Sequence, residues 1–122
     1  LKNKKLYSFI TTWSGTKYKL GGTDSSGIDC SAFELLLEKE IFNKQLPRRS
    51  KDQAEVIRKK SLSQLETGDL VFFSFGGNEV DHVGVYLNDN FFVHASTTRG
   101  VVVDDLMLPA YQNALVKSGS IK

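Results

Sequence analysis

The chain has one thiol, Cys30, so an intramolecular disulfide is excluded and the paired-cysteine spacings of structural zinc sites are absent. Charge of one sign is scarce as well, with a formal balance of only +2. The densest basic groups, Lys2 to Lys5 and Arg58 to Lys60, read as solvated helix faces, so no nucleic-acid partner is expected. No apolar run approaches the ~18 residues of a membrane-spanning helix, and no transmembrane segment is expected in this chain. Internal repeats and Pro/Gly-rich linkers are missing too. The 122 residues therefore read as a single domain over 1–122, long enough to bury a core without disulfide or metal staples, and as a monomer. The chain starts at Leu1 and not at an initiator Met, so a signal segment or lipid-anchor cysteine removed upstream would leave no trace in it.

What is present is strongly patterned. Leu6, Phe9, Ile10 and Trp13 recur at helical spacing and predict an amphipathic helix over about 2–13, ending near Ser14-Gly15. A glycine-bearing loop over 15–28 follows. Phe33, Leu36, Leu37 and Ile41 mark the apolar face of a second helix, with Asp29 or Ser31 as N-cap and Glu34 spaced to complete a capping box with Ser31. Either cap sets Cys30 at the helix entrance. After Leu46-Pro47 breaks the chain, Ser50 and Gln53 have the spacing of another capping box and open a mostly polar helix to about Lys60. From Thr67-Gly68 onward the pattern is that of strands: "DLVFFSF", "DHVGVYL", "FFVHAS" and "GVVVDDL", joined by "GGN", "NDN" and Arg99-Gly100. Parallel strands would need crossover helices, and these loops are too short for them. The order predicts an α+β fold, with N-terminal helices packed on an antiparallel β-sheet.

The two histidines lie in strands flanking Asn88-Asp89-Asn90. If those three residues are the loop, Leu87 faces Phe91, His94 lies opposite Gly84, and His82 lies opposite Ser96. Both histidines then share one face as diagonal neighbours, about 7 to 8 Å apart at the backbone. A two-residue loop would put them on opposite faces. The alternation assigns Val83, Val85, Leu87, Phe91, Val93 and Ala95 to the core, and leaves the histidine face, with Gly84, open to the approach of the Cys30 helix entrance.

A thiolate needs its pKa lowered from about 8.5, which a helix N-terminus and an imidazolium can both do. His82 is placed to take the proton, His94 to hold His82 in the right tautomer, and unpaired N–H groups at the helix start, including that of Cys30, to receive an oxyanion. Tyr18, in the preceding loop, adds a hydroxyl. Bland alternatives exist for each: a buried inert thiol, strand histidines satisfied locally, and Asp29, Ser31 and Ser50 acting as helix caps alone. Arg48 and Arg49 read as solubility residues, and Asp81 and Ser96 as unranked neighbours of the histidines.

In order, "YKLGG" (18–22), "GIDCSAF" (27–33), "LPRRS" (46–50) with Gln53, "GDLVFF" (68–73), "DHVGVYL" (81–87) and "FFVHAS" (91–96) resemble the NlpC/P60 cysteine peptidases, papain-like hydrolases of bacterial cell-wall peptides. The resemblance covers roughly 18–105. It implies a papain-like fold in the cell envelope, acting on peptidoglycan stem peptides through a thioester without cofactor or metal. Cys30 would be the nucleophile, His82 the general base and His94 the orienting residue. It further implies that Tyr18 lines the centre, that Asp29 receives a free amine of the stem peptide, and that Ser31 and Ser50 contact its backbone. Two positions depart from the pattern: Ala32 replaces the usual glycine after "DCS", and Leu20 the usual aromatic before "GG". Three rival readings share these residues: a silent wall-binding module, a zinc site of Cys30 with two histidines, and an acyltransferase or amidase on a related scaffold.

Overall fold

The computed structural model describes residues 2–122. Its elements are α1 (Lys2–Trp13), a small hairpin of β1 (Thr23–Asp24) and β2 (Gly27–Ile28), α2 (Cys30–Phe42), α3 (Ser50–Glu55) and β3 (Ile57–Lys59). After a single 3-10 turn at Leu62–Gln64 come β4 (Leu70–Phe73), β5 (His82–Tyr86), β6 (Phe91–Ser96), β7 (Gly100–Asp105), α4 (Pro109–Ala114) and β8 (Leu115–Ile121). Six strands form one antiparallel sheet in the order β3-β8-β4-β5-β6-β7. The α+β class and the four strands of the sequence reading are present.

Helices α1 and α2 cover one face of this sheet. Leu6, Phe9 and Ile10 of α1 are buried against Phe33 and Leu37 of α2, and the Phe9 and Phe33 rings lie 5.7 Å apart. The α2 stripe differs from the one expected. Glu34 and Glu38 join Cys30, Phe33 and Leu37 in the interior, while Leu36 and Ile41 are half-buried. Position decides this: residues 30, 33, 34, 37 and 38 form one helical face, and that face meets the sheet. Asp29 is the N-cap, accepting from the Ala32 N–H, so Cys30 is the first helical residue. The capping box expected of Ser31 and Glu34 does not form, because the Glu34 carboxyl is inside the core.

A second correction concerns the polar helix. Helix α3 ends at Glu55, and Arg58 and Lys59 lie in β3, a strand rather than a helix face. Ser50 caps nothing, and the Gln53 amide instead donates to the Ser31 and Pro47 carbonyls, tying α3 to the start of α2. Strands β3 and β8 escaped the sequence reading because their polar residues carry no period-2 signal. Backbone pairing with each other and with β4 makes them strands.

The other sheet face carries a smaller core of Val71, Phe73, Phe92 and Leu106, closed by Tyr86 and Tyr111. Gly84 serves this core: a Cβ there would lie 2.6 Å from the Phe92 ring, so the glycine admits Phe92, not the Cys30 helix as expected. Gly100 begins β7 at φ +75, and a Cβ on it would meet the Thr16 carbonyl at 2.2 Å, the same carbonyl that accepts from the Val101 N–H. Gly100→Ala therefore costs about 1–3 kcal/mol or more, measurable as a lowered midpoint in urea unfolding.

Candidate active site

The three-residue turn forms as the sequence predicts. Asp89 and Asn90 take left-handed φ of 49 and 69, the Leu87 N–H donates to Phe91, and Val85 pairs with Val93 and Tyr86 with Phe92. Both histidines consequently share the face of the smaller core. Their rings meet directly, His82 Nε2 to His94 Nδ1, at 2.7 Å.

Cys30 arrives from the opposite side. The β5–β6 ladder is recorded at Val85–Val93 and Tyr86–Phe92, and toward the other end of β5 the Val83 backbone N–H acts on the Cys30 sulfur. The thiol thus sits beside the strand that carries His82, approached from the main-core face and not from the histidine face as expected. It is 5 % exposed. Burial, with smaller contributions from Glu34 and Asp29, pushes its pKa up to about 12 against the favourable Val83 and Ser31 amides. The lowering expected of a helix N-terminus and an imidazolium is outweighed. His82 supplies no positive charge, since burial and the neighbouring His94 bring its own pKa down to about 3. At rest the pair is a neutral thiol and a neutral imidazole.

Behind the histidines lies a carboxylate that the sequence reading did not single out. His94 Nε2 is 2.7 Å from Asp104 Oδ2, and the same carboxylate accepts from Arg99 at 2.6 and 3.0 Å and from the Tyr111 hydroxyl at 2.7 Å. Burial would raise the Asp104 pKa, but these donors outweigh it and hold the carboxyl well below the usual range. A signal for it existed. Ser96 pairs with Gly100 across Thr97-Thr98-Arg99, another three-residue turn, which sets Asp104 opposite Phe92 and on the histidine face. Burial lowers the His94 pKa from its ordinary value, partly offset by Asp104.

The remaining residues divide between two recesses. Tyr18, Leu20, Asp29, Ser31, Arg48, Ser50 and Asp81 surround Cys30 in a cleft of about 510 Å³. Phe75, Leu108 and Tyr111 line a second recess of about 390 Å³ with His82 and His94. Arg48 is no bystander: it makes a two-pronged pair with Asp29 at 3.0 and 2.9 Å and donates to Ser31 at 2.8 Å. Asp29 also accepts from the Gly21 and Ala32 amides and the Ser31 hydroxyl, so five donors meet a carboxylate with about four lone-pair sites. A substrate amine reaching Asp29 would have to displace one of them. Burial opposes ionisation there, yet Arg48 and the two amides keep the Asp29 pKa below its ordinary value. Tyr18 is half-buried near Cys30 and Asp29, which raise its pKa after burial itself. Asp81 folds the preceding loop by accepting from the Phe75 and Gly76 amides, and Ser96 receives the Thr98 and Arg99 amides in the turn.

As a zinc site the constellation is poor. Both His94 nitrogens are already engaged, and among the described residues no group of three His, Cys, Asp or Glu side chains has metal-holding geometry.

Residues 15–120 match the NlpC/P60 family. The probable endopeptidase NlpC homolog of Haemophilus influenzae is 45% identical over 104 residues, 85% of this chain and 55% of that protein. The murein DD-endopeptidase MepS/murein LD-carboxypeptidase of Escherichia coli K12 is 43% identical over 100 residues, 82% of this chain and 53% of its own. The chain spans about half the length of these relatives. Among solved structures, an NlpC/P60 family protein from Bacillus cereus superposes with a TM-score of 0.87 at 27% identity, over 98% of this chain and 40% of that one. The NlpC/p60 domain of the peptidoglycan hydrolase SagA gives 0.79 at 26% identity, covering 98% of both chains. With the motif order, the register and the superposed fold in agreement, the chain belongs to the NlpC/P60 family.

Proposed function

We propose that this domain is a cysteine endopeptidase that hydrolyses amide bonds of peptidoglycan stem peptides, within a stem or at a cross-link, in the cell envelope. The observation that carries the reading is the chain of contacts from Asp104 through His94 to His82, with the thiol at the start of α2 held by the amide of Val83, the residue after His82. The murein DD-endopeptidase among its relatives supplies the substrate class.

In the proposed reaction Cys30 attacks the carbonyl carbon while His82 takes the thiol proton. Because the resting thiol is protonated, proton transfer accompanies attack and does not precede it. The carbonyl oxygen gains the electron pair and accepts from the Cys30 N–H at the start of α2. When the C–N bond breaks, His82 returns its proton to the departing amine, leaving a thioester. Water, deprotonated by His82, then releases the carboxylic acid and regenerates the thiol. The acyl half of the substrate lies in the Cys30 cleft against Tyr18, Ser31 and Ser50, with Asp29 and Arg48 at its wall, and the amine half leaves past Phe75 and Leu108.

Mass spectrometry of defined muropeptides before and after incubation is the test. Products whose masses add up to substrate plus water are expected. Intact muropeptides with folded protein would overturn the reading. The silent wall-binding module has one observation in its favour, the burial of the Cys30 thiol, which opposes its ionisation, and it predicts retention on purified wall without products.

A further inference from the structure

We infer that Asp104 is a positioning residue that dictates the tautomers of both histidines, so that the lone pair at His82 Nδ1 is available for the thiol proton. The inference rests on the proposed role of His82 as base. It follows from hydrogen bookkeeping along the contacts. An ionised carboxylate has no hydrogen to give, so the 2.7 Å contact at Asp104 requires the hydrogen on His94 Nε2. A neutral imidazole carries one N–H, and His94 Nδ1 is therefore an acceptor. The 2.7 Å contact between the rings then requires the hydrogen on His82 Nε2. Nδ1 of His82 is left bare. Reversing any one link reverses all of them: a hydrogen on His94 Nδ1 would point at His82 Nε2 and push the His82 hydrogen onto Nδ1, where it would block the reaction.

Asp104 can play this part because its surroundings fix its charge and its direction. The charged groups facing it are Arg99 and, when protonated, His94, and Tyr111 adds a neutral donor. Arg99 holds both carboxylate oxygens, and Tyr111 and His94 share Oδ2 with it. Tyr111 in turn stands edge-on to the Phe92 and His94 rings, with centroids 5.0 and 5.7 Å away, which limits its own movement. The strand register supplies the rest, placing Asp104 opposite Phe92 and diagonal to His94. Asp104 touches no reacting atom in this account. It acts through His94.

The chain holds only two histidines, so histidine-labelled protein without a tag shows four imidazole nitrogens and reads the tautomers directly. At neutral pH both rings are expected to carry the hydrogen on Nε2. A hydrogen on Nδ1 of either ring in the wild-type protein would overturn the inference without any variant. In Asp104→Ala the single-tautomer pattern is expected to give way to a mixture. With it kcat/KM falls on the order of 10²-fold at little changed KM, less than the ~10⁴ lost on replacing the aspartate of a Ser-His-Asp triad, because His94 still intervenes. The acidic limb of the pH profile moves to lower pH, since the histidine pair loses the carboxylate that favours its protonated form. An Asp104→Ala protein that keeps both the tautomers and the pH profile also overturns it. Should Asp104→Ala not fold, Asp104→Asn and the wild-type spectrum decide. Failure of the hydrolase reading looks different: cleavage of wall peptides surviving Cys30→Ala removes the nucleophile and leaves the tautomers untouched.

Discussion

Under the proposed mechanism Cys30→Ala is expected to leave the domain folded and to reduce release of peptide fragments from purified cell wall by on the order of 10⁵-fold. The proposed thioester requires Cys30, the one thiol of the chain, and loss of a nucleophile costs about as much as loss of the whole catalytic set. The fold should tolerate the change. The substitution removes one sulfur from a site at the edge of the main core, and a cost near 1 kcal/mol is expected. Circular dichroism and a urea midpoint check the fold, and persistent cleavage by the folded variant would sink the assignment. Iodoacetamide adds a mechanistic reading. A thiol with a pKa near 12 and no helper reacts about a thousand times more slowly at neutral pH than a free cysteine, through its small thiolate fraction. With His82 removing the proton, alkylation is faster than that, and His82→Ala slows alkylation and hydrolysis together. A rate unaffected by His82→Ala would instead favour the silent module.

The second large effect is on stability and its pH dependence. Glu34 is completely buried with neither carboxyl oxygen hydrogen-bonded, and Glu38, one turn on, has one oxygen in the same condition. Burial raises the Glu34 pKa well above the ordinary value, with Glu38 adding to it, and burial brings Glu38 up to about 8 despite Lys44. Glu38 is therefore protonated in the native protein at pH 6, and both carboxyls hold their proton more tightly there than in the unfolded chain, where they ionise above ~4.5. The unfolded state binds fewer protons, so stability is lost as pH rises from about 4.5 toward 8, the window set by Glu38, and the Glu34 shift acts in the same direction. Asp29 and Asp104, whose pKa values are lowered, act in the other direction and lose stability below about pH 4. Maximum stability is expected near pH 4.5 to 5. Urea unfolding between pH 5 and 8 should show the fall, and Glu34→Leu with Glu38→Gln should flatten it and raise the midpoint at pH 8. A wild-type midpoint that stays level or climbs over that range would contradict the account.

How far the sequence carried depended on whether a feature was written in local pattern. The Asp29 cap, the αL turn at Asp89-Asn90 and the alternation of "DHVGVYL" with "FFVHAS" are local, so the helix start under Cys30 and the pairing of the two histidines were legible. The side from which Cys30 approaches was not. It depends on which face of the sheet α1 and α2 occupy, and both faces of β5 turned out to be buried, one under helices and one under Tyr111 and Phe73. Two charged residues depart from what their type predicts: Arg48 pairs with Asp29, and Glu34 lies inside the core without completing a capping box. An arginine next to Pro47 looks exposed until Asp29 is brought beside it, and a glutamate on a helix looks capped or solvated until its face is known.

The sequence by itself determined the α+β order of elements, the position of Cys30 at a helix start and the common face of His82 and His94, because caps, turns and period-2 alternation act between residues a few positions apart. Only the tertiary structure decided the protonation states. Burial, which no local pattern records, raises the pKa of the Cys30 thiol and lowers those of both imidazoles, while the turn at Thr97-Thr98-Arg99 sets the register that brings Asp104 to His94. Electrostatics depends on what surrounds a group in space, and in this chain those surroundings come from strands and helices far apart in sequence.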